Sequence, residues 1–128
     1  MKAARFGWVG AMLALALGLA MGTAHAQAKP TPEKTREEVS YLLAEIEKSG
    51  CSFERNGRTH DSATARSHME RKYKEVLKRK PDASTEDFIE AAASRSSITG
   101  RPYLVKCGDV AVQSGEWMRQ KLASRKTP

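Results

Sequence analysis

Apolar residues recur along this chain with two different spacings, and the switches between them mark its elements. Val39, Leu42, Leu43 and Ile46 follow one another at helical spacing and form a single apolar stripe, so the first helix is expected to begin near Thr31 or Thr35. Pro32 suits a first-turn position, and Thr35-Arg36-Glu37-Glu38 matches a capping box. Gly50 can end that helix in the left-handed conformation. Cys51 to Arg55 then reads as a short strand, Asn56-Gly57 is the favoured pair for a type I′ turn, and Arg58-Thr59-His60 is the return strand. Asp61 or Ser62 caps a second helix that runs to about Lys80 and is stopped by Pro81. Ala65, Met69, Tyr73 and Val76 share one side of it, with Leu77 at the edge, and Ser67, Arg71, Lys74 and Lys78 share the other.

Ser84 caps a third helix whose first turn holds Glu86 and Asp87, where the helix dipole favours acids. Phe88, Ile89, Ala92 and Ala93 are its expected buried face. Thr99-Gly100-Arg101-Pro102 reads as a turn, Tyr103 to Cys107 as a strand, and Ser114 as the cap of a last helix carrying Trp117, Met118 and Leu122. These elements predict an α+β fold: three to four helices with a small antiparallel sheet made by the Asn56-Gly57 hairpin and the Tyr103 strand, and one disulfide. The expected organisation is a signal peptide over 1–26, a flexible leader over 27–34, a single domain over 35–123 and a frayed tail over 124–128.

The signal peptide rests on the N-terminal pattern. Lys2 and Arg5 precede an uncharged apolar run from Phe6 to Gly22, and Ala24-His25-Ala26 supplies small residues where a signal peptidase reads, so cleavage is expected after Ala26. A membrane anchor is the competing reading, but the run sits at the lower edge of what spans a bilayer and Gly7, Gly10, Gly18 and Gly22 thin it. The expected location is therefore the periplasm, with no stable membrane insertion once the signal is removed. Cleavage leaves 102 of the 128 residues. That length suits one small core and excludes a TIM barrel or a large two-domain enzyme.

The chain's formal charge of +7 falls to +5 without Lys2 and Arg5. The excess lies between Arg66 and Lys80, where seven basic residues face only Glu70 and Glu75. The one aromatic residue among these charges, Tyr73, lies on the apolar side of the helix and offers no stacking platform, so nucleic acid is not an expected partner. A solvated helix face is the simplest reading, and a surface for anionic partners through Arg71, Lys74 and Lys78 is the alternative.

Cys51 and Cys107 are the two cysteines. An even count in an oxidising compartment suggests a pair, and two cysteines permit one intramolecular connection. A metal site or a catalytic thiol is the alternative, but neither cysteine has a CxxC partner or a histidine at zinc spacing.

Three blocks carry a family resemblance. The first is Tyr41-Leu42-Leu43, Ser49-Gly50-Cys51-Ser52-Phe53 and Arg55-Asn56-Gly57; the second is His68 with Lys72-Tyr73; the third is Phe88-Ile89, Ser96-Ser97, Thr99-Gly100, Pro102-Tyr103 and Cys107. In this order they resemble the YfeK-like family of small exported bacterial proteins, a domain of unknown function, over residues 39–122. The resemblance implies an exported location and no assigned activity, so no catalytic residues are carried over from it.

The candidate binding residues are Arg55, Asn56, His68, Lys72, Ser96, Ser97 and Thr99. If the cysteine bridge draws the hairpin and the Tyr103 strand together, the Ser96 loop approaches His68 and Lys72, which lie one turn apart on the second helix. Cationic and hydroxyl side chains in such a cluster suit a small anionic or polar ligand, and a protein partner in the periplasm is the broader alternative. The competing structural reading makes Asn56-Gly57 and Thr99-Gly100 turn chemistry, the serines local caps and His68 a half-buried structural group. A small cell-envelope hydrolase using His68 with Ser96 or Ser97 is the enzymatic alternative, although no GxSxG elbow is present. His60, Asp61 and His68 have no recognisable metal spacing, and no glycine-rich phosphate loop or dinucleotide fingerprint occurs, so no cofactor and no metal are expected.

Overall fold

Residues 31–125 are described by the structure, a computed structural model. The expected signal peptide, residues 27–30 of the leader and residues 126–128 of the tail lie outside the described residues. Helix α1 (Pro32–Lys48) starts where Thr31 Oγ1 accepts from the Lys34 N–H at 3.2 Å, with Pro32 in the first turn. Thr35 is therefore inside the helix, and it is buried rather than capping. Pro32, Glu33 and Lys34, expected in the leader, belong instead to the first turn of α1. Gly50, at φ +64°, turns the chain out of α1.

The strands β1 (Ser52–Arg55) and β2 (Arg58–His60) form the expected hairpin, with Asn56 at φ 51° and Gly57 at φ 75° as a type I′ turn requires. Asp61 then caps α2 (Ser62–Arg79), its carboxylate accepting from the Thr64 N–H at 2.7 Å. Ser84 caps α3 (Thr85–Phe88) in a reciprocal capping box with Asp87. This helix continues into a π-helical segment, Ile89–Ala93, closed by Ser94 Oγ donating to the Ile89 carbonyl at 2.7 Å. The chain returns as β3 (Leu104–Cys107), turns at Gly108-Asp109 into β4 (Val110–Gln113), and ends in α4 (Ser114–Arg125).

The sheet is antiparallel throughout, in the order β2-β1-β3-β4. Three of its strands match expectation and β4 is additional. Gly108 has φ +72° and Asp109 does not share the positive value, the pattern of a II′ turn led by glycine. Ser52 pairs with Lys106, so Cys51 stands opposite Cys107 one step further along, and the two are joined across β1 and β3 with Cα atoms 4.6 Å apart. The expected disulfide is present.

The core lies between the helices and one face of the sheet. Val39, Leu42 and Ile46 of α1 meet Met69 and Tyr73 of α2, and Phe88 and Ile89 fill the centre without exposure. Tyr73 stacks edge-on against Phe88 with ring centroids 5.3 Å apart, and Phe53 does so against Trp117 at 6.2 Å. Gly115 is the close-approach position: a Cβ there would collide with Ser94 Oγ, so α4 packs directly on the end of the π-helical segment. Ser114 does not cap α4 through its side chain as expected. Its Oγ is buried with no hydrogen-bond partner among the described residues, and its N–H instead donates to the Tyr103 carbonyl at 2.8 Å. The last helix also takes in Ser124 and Arg125, two residues expected in the frayed tail.

Candidate functional site

The sheet register determines which side chains meet. Glu54 pairs with Leu104, so extending the ladder by one residue sets Arg55 opposite Tyr103. On α2, His68 and Lys72 are separated by four residues and lie on the same flank. The loop after the π-helical segment is held by Ser96 N–H donating to the Arg101 carbonyl, Gly100 N–H to the Ser96 carbonyl and Tyr103 N–H to the Ser94 carbonyl, each at 2.9 Å. These three elements close on one another at the end of the sheet.

Arg55, Asn56, His68, Lys72, Ser96 and Ser97 line one groove of about 260 Å³, together with Ile98 and Tyr103. Thr99, the seventh expected residue, acts behind it: its hydroxyl donates to Asn56 Oδ1 at 2.6 Å. Asn56 Nδ2 in turn donates to Ser96 Oγ at 3.2 Å, and that oxygen also accepts from the Ile98 and Thr99 N–H groups, each at 3.3 Å. The structure therefore brings all seven residues together. It divides them, however, into groups that face the groove and groups that brace its loop. Sequence reasoning misses Tyr103, which reads there only as strand. Its ring is buried, and its hydroxyl accepts from Lys72 Nζ at 3.3 Å. The ammonium also sits 5.3 Å from the Tyr103 ring centroid. An aromatic residue carrying a polar tip beside Pro102 is the signal that points to it.

Arg55 Nη1 lies 2.9 Å from both ring nitrogens of His68. An imidazole beside a guanidinium is favoured in its neutral form, with whichever nitrogen is unprotonated accepting the hydrogen bond. Burial pushes the His68 pKa down to about 4, and the charges of Arg55, Lys72, Arg71 and His60 push in the same direction. Among the described residues neither Arg55 nor Lys72 forms an ion pair with a carboxylate. By contrast, Arg66, Lys74, Lys78 and Lys80 of the basic segment pair with Glu47, Glu70, Glu75 or Asp87. Four of the seven basic residues of that segment are thus paired, while the groove retains two cations, Arg55 and Lys72, without counter-charge among the described residues.

The geometry required for serine activation is not formed among the described residues. Ser96 Oγ is engaged with Asn56 and two backbone N–H groups, Ser97 is exposed, and the group on His68 is the cation Arg55 rather than an orienting carboxylate. Among the described residues no three His, Cys, Asp or Glu side chains gather to hold a metal ion. None of the described helices is long and apolar enough to cross a membrane.

The uncharacterized protein YfeK of Salmonella typhimurium is 42% identical to this chain over 62 residues, which cover 48% of this chain and 50% of that protein. The chain thus aligns with about half the length of the curated relative it matches. No solved structure matches the chain. The family model of DUF5329, described as a family of unknown function, matches residues 33–126, from the first turn of α1 past the last helical residue of α4. With the match spanning every described strand and helix, the chain belongs to this family of unknown function, DUF5329, in keeping with the YfeK-like blocks of its sequence.

Proposed function

We propose that this protein is a non-enzymatic, exported domain that binds a small anionic or polar ligand in the groove between β1, α2 and the Ser96 loop. The observation that carries this reading is the convergence of Arg55 and Lys72, two cations without carboxylate partners among the described residues, on a groove edged by the hydroxyls of Ser96 and Ser97. Such cations offer charge-assisted hydrogen bonds to an incoming anion without first breaking an ion pair. Neutral His68 and the Asn56–Thr99 pair hold the walls in place.

Export is supported by the N-terminal charge and apolar pattern and by the Cys51–Cys107 bridge, since disulfides persist mainly in oxidising compartments. The test of location is mass spectrometry of protein from a cell-envelope fraction, where the expected N-terminal residue is Gln27.

The binding test is an NMR titration of isotope-labelled protein with inorganic phosphate and with citrate. Shifts are expected at the amides of Arg55, Ser97 and Ile98, and are expected to vanish in an Arg55→Ala, Lys72→Ala double variant that keeps its fold. Shifts confined to other surfaces, or unchanged in the double variant, would remove the groove as the site.

A further inference from the structure

A second, smaller space lies on the other side of the Arg55–His68 pair. It measures about 70 Å³ and shares Arg55, His68 and Tyr103 with the groove, so those three side chains form the partition between the two. Its remaining walls are of different character. Phe53, Ala65 and Met69 contribute buried apolar surface, while Thr64, Arg71 and His60, whose Nε2 has no hydrogen-bond partner among the described residues, stand at the polar side with Glu54, whose carboxylate is already paired with Lys106 at 2.8 Å. An apolar recess next to a guanidinium recognises a different molecule from the one that an open cationic groove recognises.

Arg55 sets the orientation. Among the described residues its hydrogen bonds go to His68 and leave through Nη1, so the Nε–Nη2 edge is unengaged. That edge presents two parallel N–H donors, the arrangement that matches the two oxygens of a carboxylate. The recess sets the length of the tail attached to that carboxylate. A cavity of about 150 Å³ lined by apolar side chains takes benzene with its six carbons, so about half that volume takes about three.

We propose that the ligand of this site is a short-chain carboxylate of about four carbons, its carboxylate held on the Arg55 guanidinium and its alkyl tail in the recess lined by Phe53, Ala65 and Met69. This rests on the reading of Arg55 as an anion-binding cation and places the ligand's tail on the recess side of it rather than in the groove. The cationic partition provides the charge-assisted contact, and the tail removes apolar surface from water. Acetate leaves the recess unfilled, and octanoate exceeds it.

The test uses the chain as it stands and calorimetric titrations at pH 7 with acetate, butanoate, octanoate and inorganic phosphate. Butanoate is expected to bind about tenfold tighter than acetate, as burial of two further methylenes implies. It is also expected to bind tighter than octanoate or phosphate. Arg55→Lys keeps the charge but loses the two-donor edge, and is expected to weaken butanoate about tenfold or more while affecting phosphate less. Met69→Phe narrows the recess and is expected to abolish the preference for butanoate over acetate. Because Met69 is a core residue, the chain-length series on the unaltered protein decides the matter if that variant does not fold. Equal binding of the three carboxylates, or phosphate binding tightest of the four, overturns the carboxylate proposal and leaves the anion groove standing. Binding of none of the four overturns both.

Discussion

The guanidinium of Arg55 and the imidazole of His68, thirteen residues apart in sequence, meet with one nitrogen of the first 2.9 Å from both nitrogens of the second. Their pairing links the end of strand β1 to the middle of helix α2 and gives the candidate site its partition. It also couples the fold to pH, because the ring is part-buried and, beside it, a cation stands where it would take up its proton.

His68 has a folded pKa of about 4 against an ordinary 6.5, so between those values the unfolded chain binds the proton that the folded chain refuses. The stability contributed by the neutral ring is complete above about pH 6.5 and is lost as pH falls through about 4. The ring is only partly buried and solvent screens it, so the expected loss is about 1–2 kcal/mol, less than the full shift would imply. Urea midpoints measured from pH 7 to pH 4 should fall in this window for the wild type and stay flatter for His68→Gln. The carboxylate of Asp87, lowered by its hydrogen bonds to Lys80 and Ser84, titrates below its ordinary 3.8 and adds its own loss at more acid pH.

Arg55→Ala should raise the His68 pKa without restoring it to 6.5, because burial is the larger cause and Arg55 the second. An NMR titration of the imidazole Cε1–H resonance gives both values. Full restoration would show that the guanidinium, not burial, keeps the ring neutral.

The bridge between Cys51 and Cys107 closes a loop across a sequence separation of 56 residues. In the chain-entropy description such a closure is worth about 4 kcal/mol, and native bridges in small domains commonly contribute about 2–4 kcal/mol. A Cys51→Ala, Cys107→Ala variant should therefore melt at least about 8 °C lower than the oxidised protein. Reduction of the wild type with dithiothreitol should reproduce the shift, and no change on reduction would remove the bridge from the account of stability.

Gly115→Ala places a methyl group against Ser94 Oγ, and overpacking of this kind costs about 1–3 kcal/mol. Ser94→Ala removes the oxygen but also the hydrogen bond to the Ile89 carbonyl that closes the π-helical segment. The double variant should be more stable than the sum of the two single losses predicts, a coupling that a double-mutant cycle in urea measures directly. Strict additivity would show that α4 moves aside.

Much of this architecture is written locally. The stripe Val39, Leu42, Leu43 and Ile46, the Asn56-Gly57 turn, the caps Asp61 and Ser84 and the stop at Pro81 each act through neighbours within a turn or two, and each appears where the sequence places it. The strand β4 escapes a sequence reading because Val110 and Ala111 are exposed and its residues show no clear alternation of apolar and polar positions, although Gly108-Asp109 is a recognisable hairpin pair. The π-helical segment escapes it because Ile89 to Ala93 carry an ordinary helical pattern, and only in the fold do Ala92 and Ala93 lie buried beside α2 and α4 with Gly115 packed on Ser94.

The site is legible in the sequence as a set of residues and illegible as an arrangement. Arg55, His68, Lys72 and the Ser96 loop are recognisable by type, and the two cysteines by count, because chemistry and pairing rules depend on residue identity alone. That Arg55 faces His68 rather than a carboxylate, that Ser96 braces a loop, and that Tyr103 walls off a recess come from the β1–β3 register and the docking of α2 on the sheet. Those are decided by packing among residues far apart in the chain, where a one-residue slip of a strand would turn its side chains to the opposite face.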